Sequence, residues 1–244
     1  MTGEKANGAT GRGDGFRALI IQHEEPTPGG YVAEWLEERS ADQDVYRIDL
    51  EGRTVDPRDY AMIVSLGSEF PAFDDSVPWL GKEMKLLREA ARADVPVLGI
   101  CFGGQLLART LGGESFRGEI AEIGWLPVRS SDEAAVSNGP WFQWHFDSFT
   151  PPPGSQLLAD SGAGPQAFRI GRSLGLQFHP EVTPEIMDLW VEAYRHELDE
   201  EGVDPDQLLR ETYARADETR AAAWRLFDGF LSRARLGAEA VRGR

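Results

Sequence analysis

The chain of 244 residues contains a single cysteine, Cys101. One thiol cannot close an internal disulfide, so a disulfide framework is excluded and a reducing compartment is expected. No apolar run approaches the ~20 residues of a membrane-spanning helix. Residues 1–15 are polar and glycine-rich and lack the apolar centre of a signal peptide. They are expected to form a disordered leader, and the expected location is the cytoplasm. Positive charge is scarce: 25 Lys and Arg stand against 41 Asp and Glu, for a net charge of −16. Phosphate backbones and anionic lipids need clustered cations, so neither nucleic acid nor membrane is expected as a partner. There is no P-loop Gly-Lys-Ser/Thr, so ATP activation of an acceptor is not encoded here. Metal-ligand spacing is missing too, and neither a metal nor a cofactor is expected.

What is present is alternation. Phe16–Gln22 is an apolar, β-branched run of the kind found inside parallel sheets. Helical spacing follows over Tyr31–Arg39, then strands over Asp44–Leu50 and Asp59–Leu66. A helix is expected over Val77–Ala93, a strand over Val95–Ile100 and a helix over Phe102–Leu111. Strand and helix in turn predict an α/β fold, a mostly parallel central sheet covered by helices on both faces. In such sheets sites gather beyond the C-terminal strand ends, where Gly67, Cys101 and the loop after Gln22 would meet. From Glu119 to Phe178 the chain reads as strands separated by Pro, Gly and Ser turns. After Pro184 it reads as helices over Glu185–Glu197, Asp204–Ala214 and Glu218–Leu236.

Cys101 ends an apolar strand and is followed by Gly103-Gly104 and a helical pattern. A lone cysteine is more often a small core residue than a nucleophile. Here, though, the turn would place the thiol at a helix N-terminus, whose N–H groups favour a thiolate and can receive an oxyanion. A thiolate nucleophile needs a base, and the base an orienting acid. Of the four histidines, His179 is the best base. It closes the apolar run Leu174–Phe178, and Glu181 lies two residues on, on the same side of an extended segment stiffened by Pro180. The spacing suits a buried core histidine and a helix-start carboxylate equally well. His23 lies on a loop and His196 among charges. His145 and Asp147, in Trp144-His-Phe-Asp147, fit either a wall of the site or a hydrogen-bonded structural pair.

Pro96-Val-Leu-Gly-Ile-Cys-Phe-Gly-Gly-Gln105 together with Gly175-Leu-Gln-Phe-His-Pro-Glu181 resembles the class I, triad-type glutamine amidotransferases, and most closely the glutaminase domain of GMP synthase and its free-standing homologues. The resemblance runs from about Phe16 to about Trp190. It implies a flavodoxin-like amidotransferase domain over 16–190, with 191–244 as a helical extension packed on it. It further implies Cys101 as nucleophile, His179 as base and acid, and Glu181 as orienter, acting on L-glutamine or another γ-glutamyl compound through a γ-glutamyl thioester. The N–H of Phe102 and the loop at Gly67 and Ser68 would hold the oxyanion, Gln105 would help hold the substrate, and His145 would line the site. The family usually has Gly-Gly-Pro where this chain has Gly67-Ser68-Glu69, which puts an acid beside the expected oxyanion loop. The resemblance implies a synthetase partner in trans to receive the ammonia; the alternative is a γ-glutamyl hydrolase acting alone, and a third reading is a non-catalytic regulatory module. For the helices from Glu185 to Leu236 the sequence leaves three roles open: covering the site, docking a partner, or forming a homodimer.

Overall fold

The computed structural model describes residues 16–242; the expected leader, residues 1–15, lies outside the described residues. Strand β1 (Arg17–Gln22) sends alternate side chains to opposite faces. Ala18 and Ile20 enter one core, Leu19 and Ile21 the other. The same division recurs in β3 (Met62–Ser65) and β4 (Val97–Ile100), where Met62, Val64, Leu98 and Ile100 face the first core and Ile63 and Val97 the second. A strand buried on both faces needs apolar residues at every position, which is why these runs show no polar alternation in the sequence.

The remaining sheet members are β2 (Asp42–Arg47), β6 (Arg129–Ser130), β8 (Gln156–Ser161), β9 (Gly164–Ile170) and β10 (Ser173–Leu176). Their order is β2-β1-β3-β4-β10-β9-β8-β6. The first five strands run parallel, and β9, β8 and β6 complete an antiparallel edge. Helices α1 (Gly30–Glu38) and α6 (Pro205–Arg242) cover the first face through Trp35, Leu36, Leu226, Phe227 and Phe230. Helices α2 (Leu80–Arg92) and α3 (Phe102–Thr110) cover the other through Leu86, Leu87, Leu106 and Leu107. The expected α/β architecture is the one observed.

A separate antiparallel ribbon, β5 (Glu114–Leu126) with β7 (Trp141–Thr150), stands at the C-terminal edge of the parallel strands. Its register shifts between Arg117 and Glu122, a bulge that the sequence pattern does not announce, so β5 begins five residues before its expected start at Glu119. The ribbon packs on α4 (Pro184–Ala193) in a third apolar cluster that joins Phe142 and Trp144 to Ile186, Met187 and Trp190. Thr183 caps α4 by accepting the Ile186 N–H at 3.2 Å, with Pro184 in the first turn.

Two helix boundaries differ from expectation. The run Glu185–Glu197 breaks at Tyr194 into α4 and α5 (Arg195–Glu201). The two helices expected over 204–214 and 218–236 are the single helix α6. Arg215-Ala-Asp217 reads as a polar break, but the turn is held from outside the helix: Tyr31 donates its hydroxyl to the Ala216 carbonyl at 3.0 Å, and Thr219 and Ala223 are buried.

Candidate active site

Cys101 follows β4 directly. Its backbone sits at φ 51°, ψ −111°, a region that non-glycine residues seldom enter. Such a conformation persists only where the surroundings enforce it. They do so here by close packing: a Cβ on Gly103 would stand 2.1 Å from the Ser65 carbonyl oxygen, and one on Gly104 2.2 Å from that of Leu176. The two glycines let α3 start against the ends of β3 and β10, and the elbow carries the thiol at the sheet edge.

Strand β10 lies beside β4, with Gly175 opposite Gly99 and Leu176 opposite Ile100. Beyond it the chain stays extended because its N–H groups remain bound: Gln177 donates to the Gln166 carbonyl and His179 to that of Phe142, each at 2.8 Å. Alternation then puts Gln177 and His179 on one side. Gln177 Nε2 approaches Cys101 Sγ at 3.7 Å, and the Trp144 carbonyl lies 3.9 Å from the same sulfur.

The His179 Nδ1 bonds Glu181 Oε1 at 2.7 Å, with both residues buried. Its Nε2 is buried and without a hydrogen-bond partner among the described residues. Burial opposes charge on this ring, but Glu181 and then Cys101 outweigh it, and the pKa is pushed up to about 10. The Trp190 ring packs edge-on at 4.9 Å from the imidazole and donates its Nε1 to the Pro26 carbonyl at 2.6 Å. Glu181 accepts the Tyr31 N–H on its carbonyl oxygen at 2.9 Å, so the N-terminal turn of α1 anchors the third member.

Opposite lies the loop Gly67-Ser68-Glu69. A Cβ on Gly67 would be 3.1 Å from His179 Cε1 and 3.9 Å from Cys101 Cβ. Among the described residues the N–H groups of Ser68 and Phe102 have no acceptor. Glu69 is exposed, and its N–H donates to Glu24 Oε1 at 2.8 Å. Burial chiefly, with repulsion from Glu69, pushes the Glu24 carboxyl up to about 7. Glu69 therefore stands at the mouth of the site.

These groups line a cavity of about 280 Å3. Of the residues singled out from the sequence, Cys101, His179, Gly67, Ser68, Phe102, Gln105 and His145 all line it, and Glu181 stands behind His179. Gln105 uses its amide nitrogen in the wall, donating to the Asp147 carbonyl and to Gln177 Oε1, each at 3.2 Å. His145 is both wall and structural pair: Nε2 lies 3.0 Å from Glu122 Oε2, and Nδ1 lies 3.1 Å from the Asp147 carbonyl. Sequence reasoning passed over Gln177, although its place two residues before His179 in an extended run was a usable signal. It also missed the rim supplied by α5, namely Glu197, Glu200 and Glu201 together with Tyr194. Nothing in their helical pattern separates a rim from any solvated acidic face. Among the described residues no cluster of His, Cys, Asp or Glu could hold a metal ion, and no helix is long and apolar enough to cross a membrane.

Comparison with known proteins gives a consistent picture. The family model described as glutamine amidotransferase class-I matches residues 31–191. The chain is 31% identical over 177 residues to the glutamine-hydrolyzing GMP synthase of Aeropyrum pernix, covering 67% of this chain and 34% of that protein. It is 31% identical over 134 residues to one of the separate subunits of the glutamine-hydrolyzing GMP synthase of Sulfurisphaera tokodaii, covering 51% and 69%. The chain thus spans about a third or less of the first curated relatives it matches. A crystallised glutamine amidotransferase of Thermotoga maritima superposes with a TM-score of 0.81 at 30% identity, covering 88% of this chain and 98% of that one. A second, from Methylobacillus flagellatus, gives 0.82 at 25% identity, covering 90% and 96%.

Proposed function

The chain belongs to the class I glutamine amidotransferases, and on that footing we propose that it hydrolyses the side-chain amide of glutamine through Cys101, His179 and Glu181. Cys101 Sγ attacks the γ-carbonyl carbon as a thiolate, and the carbonyl oxygen becomes an oxyanion received by the Ser68 and Phe102 N–H groups. The tetrahedral centre collapses and the C–N bond breaks. The His179 imidazolium gives its Nε2 proton to the departing nitrogen, which leaves as ammonia. Water, deprotonated by the now neutral His179, cleaves the γ-glutamyl thioester and frees glutamate and the thiolate. Glu181 fixes the tautomer and steadies the positive ring. The observation that carries this reading is His179 Nε2: buried, without a hydrogen-bond partner among the described residues, on a ring whose pKa Cys101 helps to raise, and backed by a 2.7 Å bond to Glu181. Delivery of the ammonia to a separate synthetase chain is supported by relatives that are themselves named as one subunit of a GMP synthase.

A second reading keeps the thioester chemistry but uses a γ-glutamyl conjugate as substrate, with the amine released to solvent. It is favoured by the mouth of the cavity, where Glu69, Glu197, Glu200 and Glu201 gather; a positively charged leaving amine would be drawn there. Glutamine and γ-glutamyl amides should be assayed on the protein alone and with a candidate synthetase. In either case Cys101→Ala should lower turnover by a factor of about 1000 or more. Turnover within tenfold of the wild type would overturn the nucleophile assignment.

A further inference from the structure

Outside the triad a second histidine is buried against a carboxylate. His23, on the loop after β1, is 1% exposed and Glu83, from α2, is 0% exposed. His23 Nε2 lies 2.8 Å from Glu83 Oε2, and the other oxygen of that carboxylate accepts the Ser65 hydroxyl at 2.7 Å. His23 Nδ1 lies 3.0 Å from the carbonyl oxygen of Gly67. The ring is clamped between Trp79 and Phe102, with centroids at 4.8 and 4.7 Å. Burying a carboxylate and an imidazole together is costly unless every polar atom is matched, and the reaction derived above uses neither group.

A carbonyl oxygen only accepts, so Nδ1 must carry a hydrogen whether the pair is imidazolium and carboxylate or imidazole and carboxylic acid. With Glu83 engaging Nε2 and the Gly67 carbonyl requiring a hydrogen on Nδ1, Nδ1–H is aimed at Gly67 in both states. The peptide that joins Gly67 to Ser68 is planar and trans, so holding its C=O against His23 turns the Ser68 N–H to the opposite side, toward the cavity that Ser68 lines. That N–H has no acceptor among the described residues.

We propose that His23, locked by Glu83 and Ser65, is a positioning residue that sets the oxyanion-binding peptide between Gly67 and Ser68. The assignment rests on the thioester chemistry proposed above. It acts through the transition state, because the oxyanion exists only after Cys101 attacks.

The test uses the full chain. His23→Phe fills the slot between Trp79 and Phe102 but removes the donor; kcat should fall about 10- to 100-fold with KM for the turned-over substrate within about twofold. Glu83→Gln keeps a hydrogen-bonding partner for the ring Nε2 and should lose less, about three- to tenfold. An aldehyde analogue of glutamine forms a hemithioacetal with the thiol and mimics the tetrahedral oxyanion, whereas glutamate forms no such adduct. His23→Phe should weaken the aldehyde by the same factor as kcat and leave glutamate inhibition unchanged. A general loosening of the core would instead lower kcat, glutamate affinity and melting temperature together, and that result overturns the assignment. If His23→Phe does not fold, Glu83→Gln carries the same comparison, and equal losses for aldehyde and glutamate would overturn it there. Wild-type turnover matched by His23→Phe removes the His23 assignment alone. A wild-type chain that neither turns over any γ-glutamyl amide nor captures the aldehyde removes the thioester reading and this assignment with it.

Discussion

His179 stands between two acids of different kinds, Glu181 at Nδ1 and Cys101 on its other side, and this sets its titration. Burial alone would drive the ring to neutrality near or below its ordinary value of 6.5. Its two neighbours reverse that and push it up to about 10. A raised pKa means the proton is retained through neutral pH and lost only as pH climbs toward 10. The imidazolium is the form that can hand a proton to departing ammonia, so kcat/KM for glutamine should hold a plateau above neutrality and lose its alkaline limb near pH 10. An alkaline limb near 6.5 in the pH–rate profile would show that His179 does not carry the proton in the free enzyme. Removing the sulfur in Cys101→Ala should lower the midpoint, followed by NMR on the His179 Cε1–H. At this scale much was legible in advance. The strand-to-helix turn pointed to Cys101, and the two-residue spacing paired His179 with Glu181. What no spacing could supply was that Gly175 lies opposite Gly99, because β10 returns to β4 after two hairpins that could have paired otherwise. His23 is only a loop histidine in the sequence, since its partner Glu83 sits on a helix whose polar residues look solvent-facing from their pattern.

Among the elements, α6 departs most from the expected boundaries. The sequence divides it at Arg215-Ala-Asp217 because local propensity weighs charge and capping residues, whereas the fold decides by burial. Leu226, Phe227 and Phe230 sit in the same cluster as Trp35 and the sheet residues Ile20, Val64 and Leu98. The Phe227 ring meets Trp35 at 5.6 Å, and the Trp35 Nε1 donates to Asp228 on the same helix at 3.1 Å. The C-terminal half of the helix is therefore structural for the first face of the sheet, and Phe227 is not among the residues that line the cavity. Phe227→Ala should destabilise the protein by about 3–5 kcal/mol, the cost of a buried aromatic plus the space it leaves. Chemical denaturation would measure it, and kcat/KM of the folded variant should stay within about twofold. A loss below ~1 kcal/mol would mean that α6 can leave the sheet without consequence. The central parallel strands were recognisable because burial on both faces leaves uninterrupted apolar runs. The ribbon of β5 and β7 was harder, because its bulge shifts the alternation partway along and hides the true start at Glu114.

The whole molecule is acidic, with a net charge of −16, and that charge is unevenly useful. Most of it is solvated surface, but at the cavity mouth Glu69, Glu197, Glu200 and Glu201 face one another from two segments of the chain. Burial raises the Glu197 carboxyl, although the Trp144 Nε1 donates to it at 2.6 Å. Arg117, at the same mouth, is drawn to Asp147 at 3.4 Å. A field of this sign raises the local concentration of cations and repels anions, over a Debye length of about 10 Å at 0.1 M salt. Glutamine is net neutral and should be nearly indifferent to it. A γ-glutamyl conjugate of a diamine carries its second ammonium on the leaving side of the amide and should feel it fully. The triple variant Glu197→Gln, Glu200→Gln, Glu201→Gln should therefore raise KM for the diamine conjugate about tenfold or more and change KM for glutamine by less than about twofold. In the wild type, added salt should reproduce part of the same separation. Equal shifts for both substrates would reduce the acidic rim to ordinary solvated surface and leave glutamine, with ammonia passed to a partner, as the better-supported substrate.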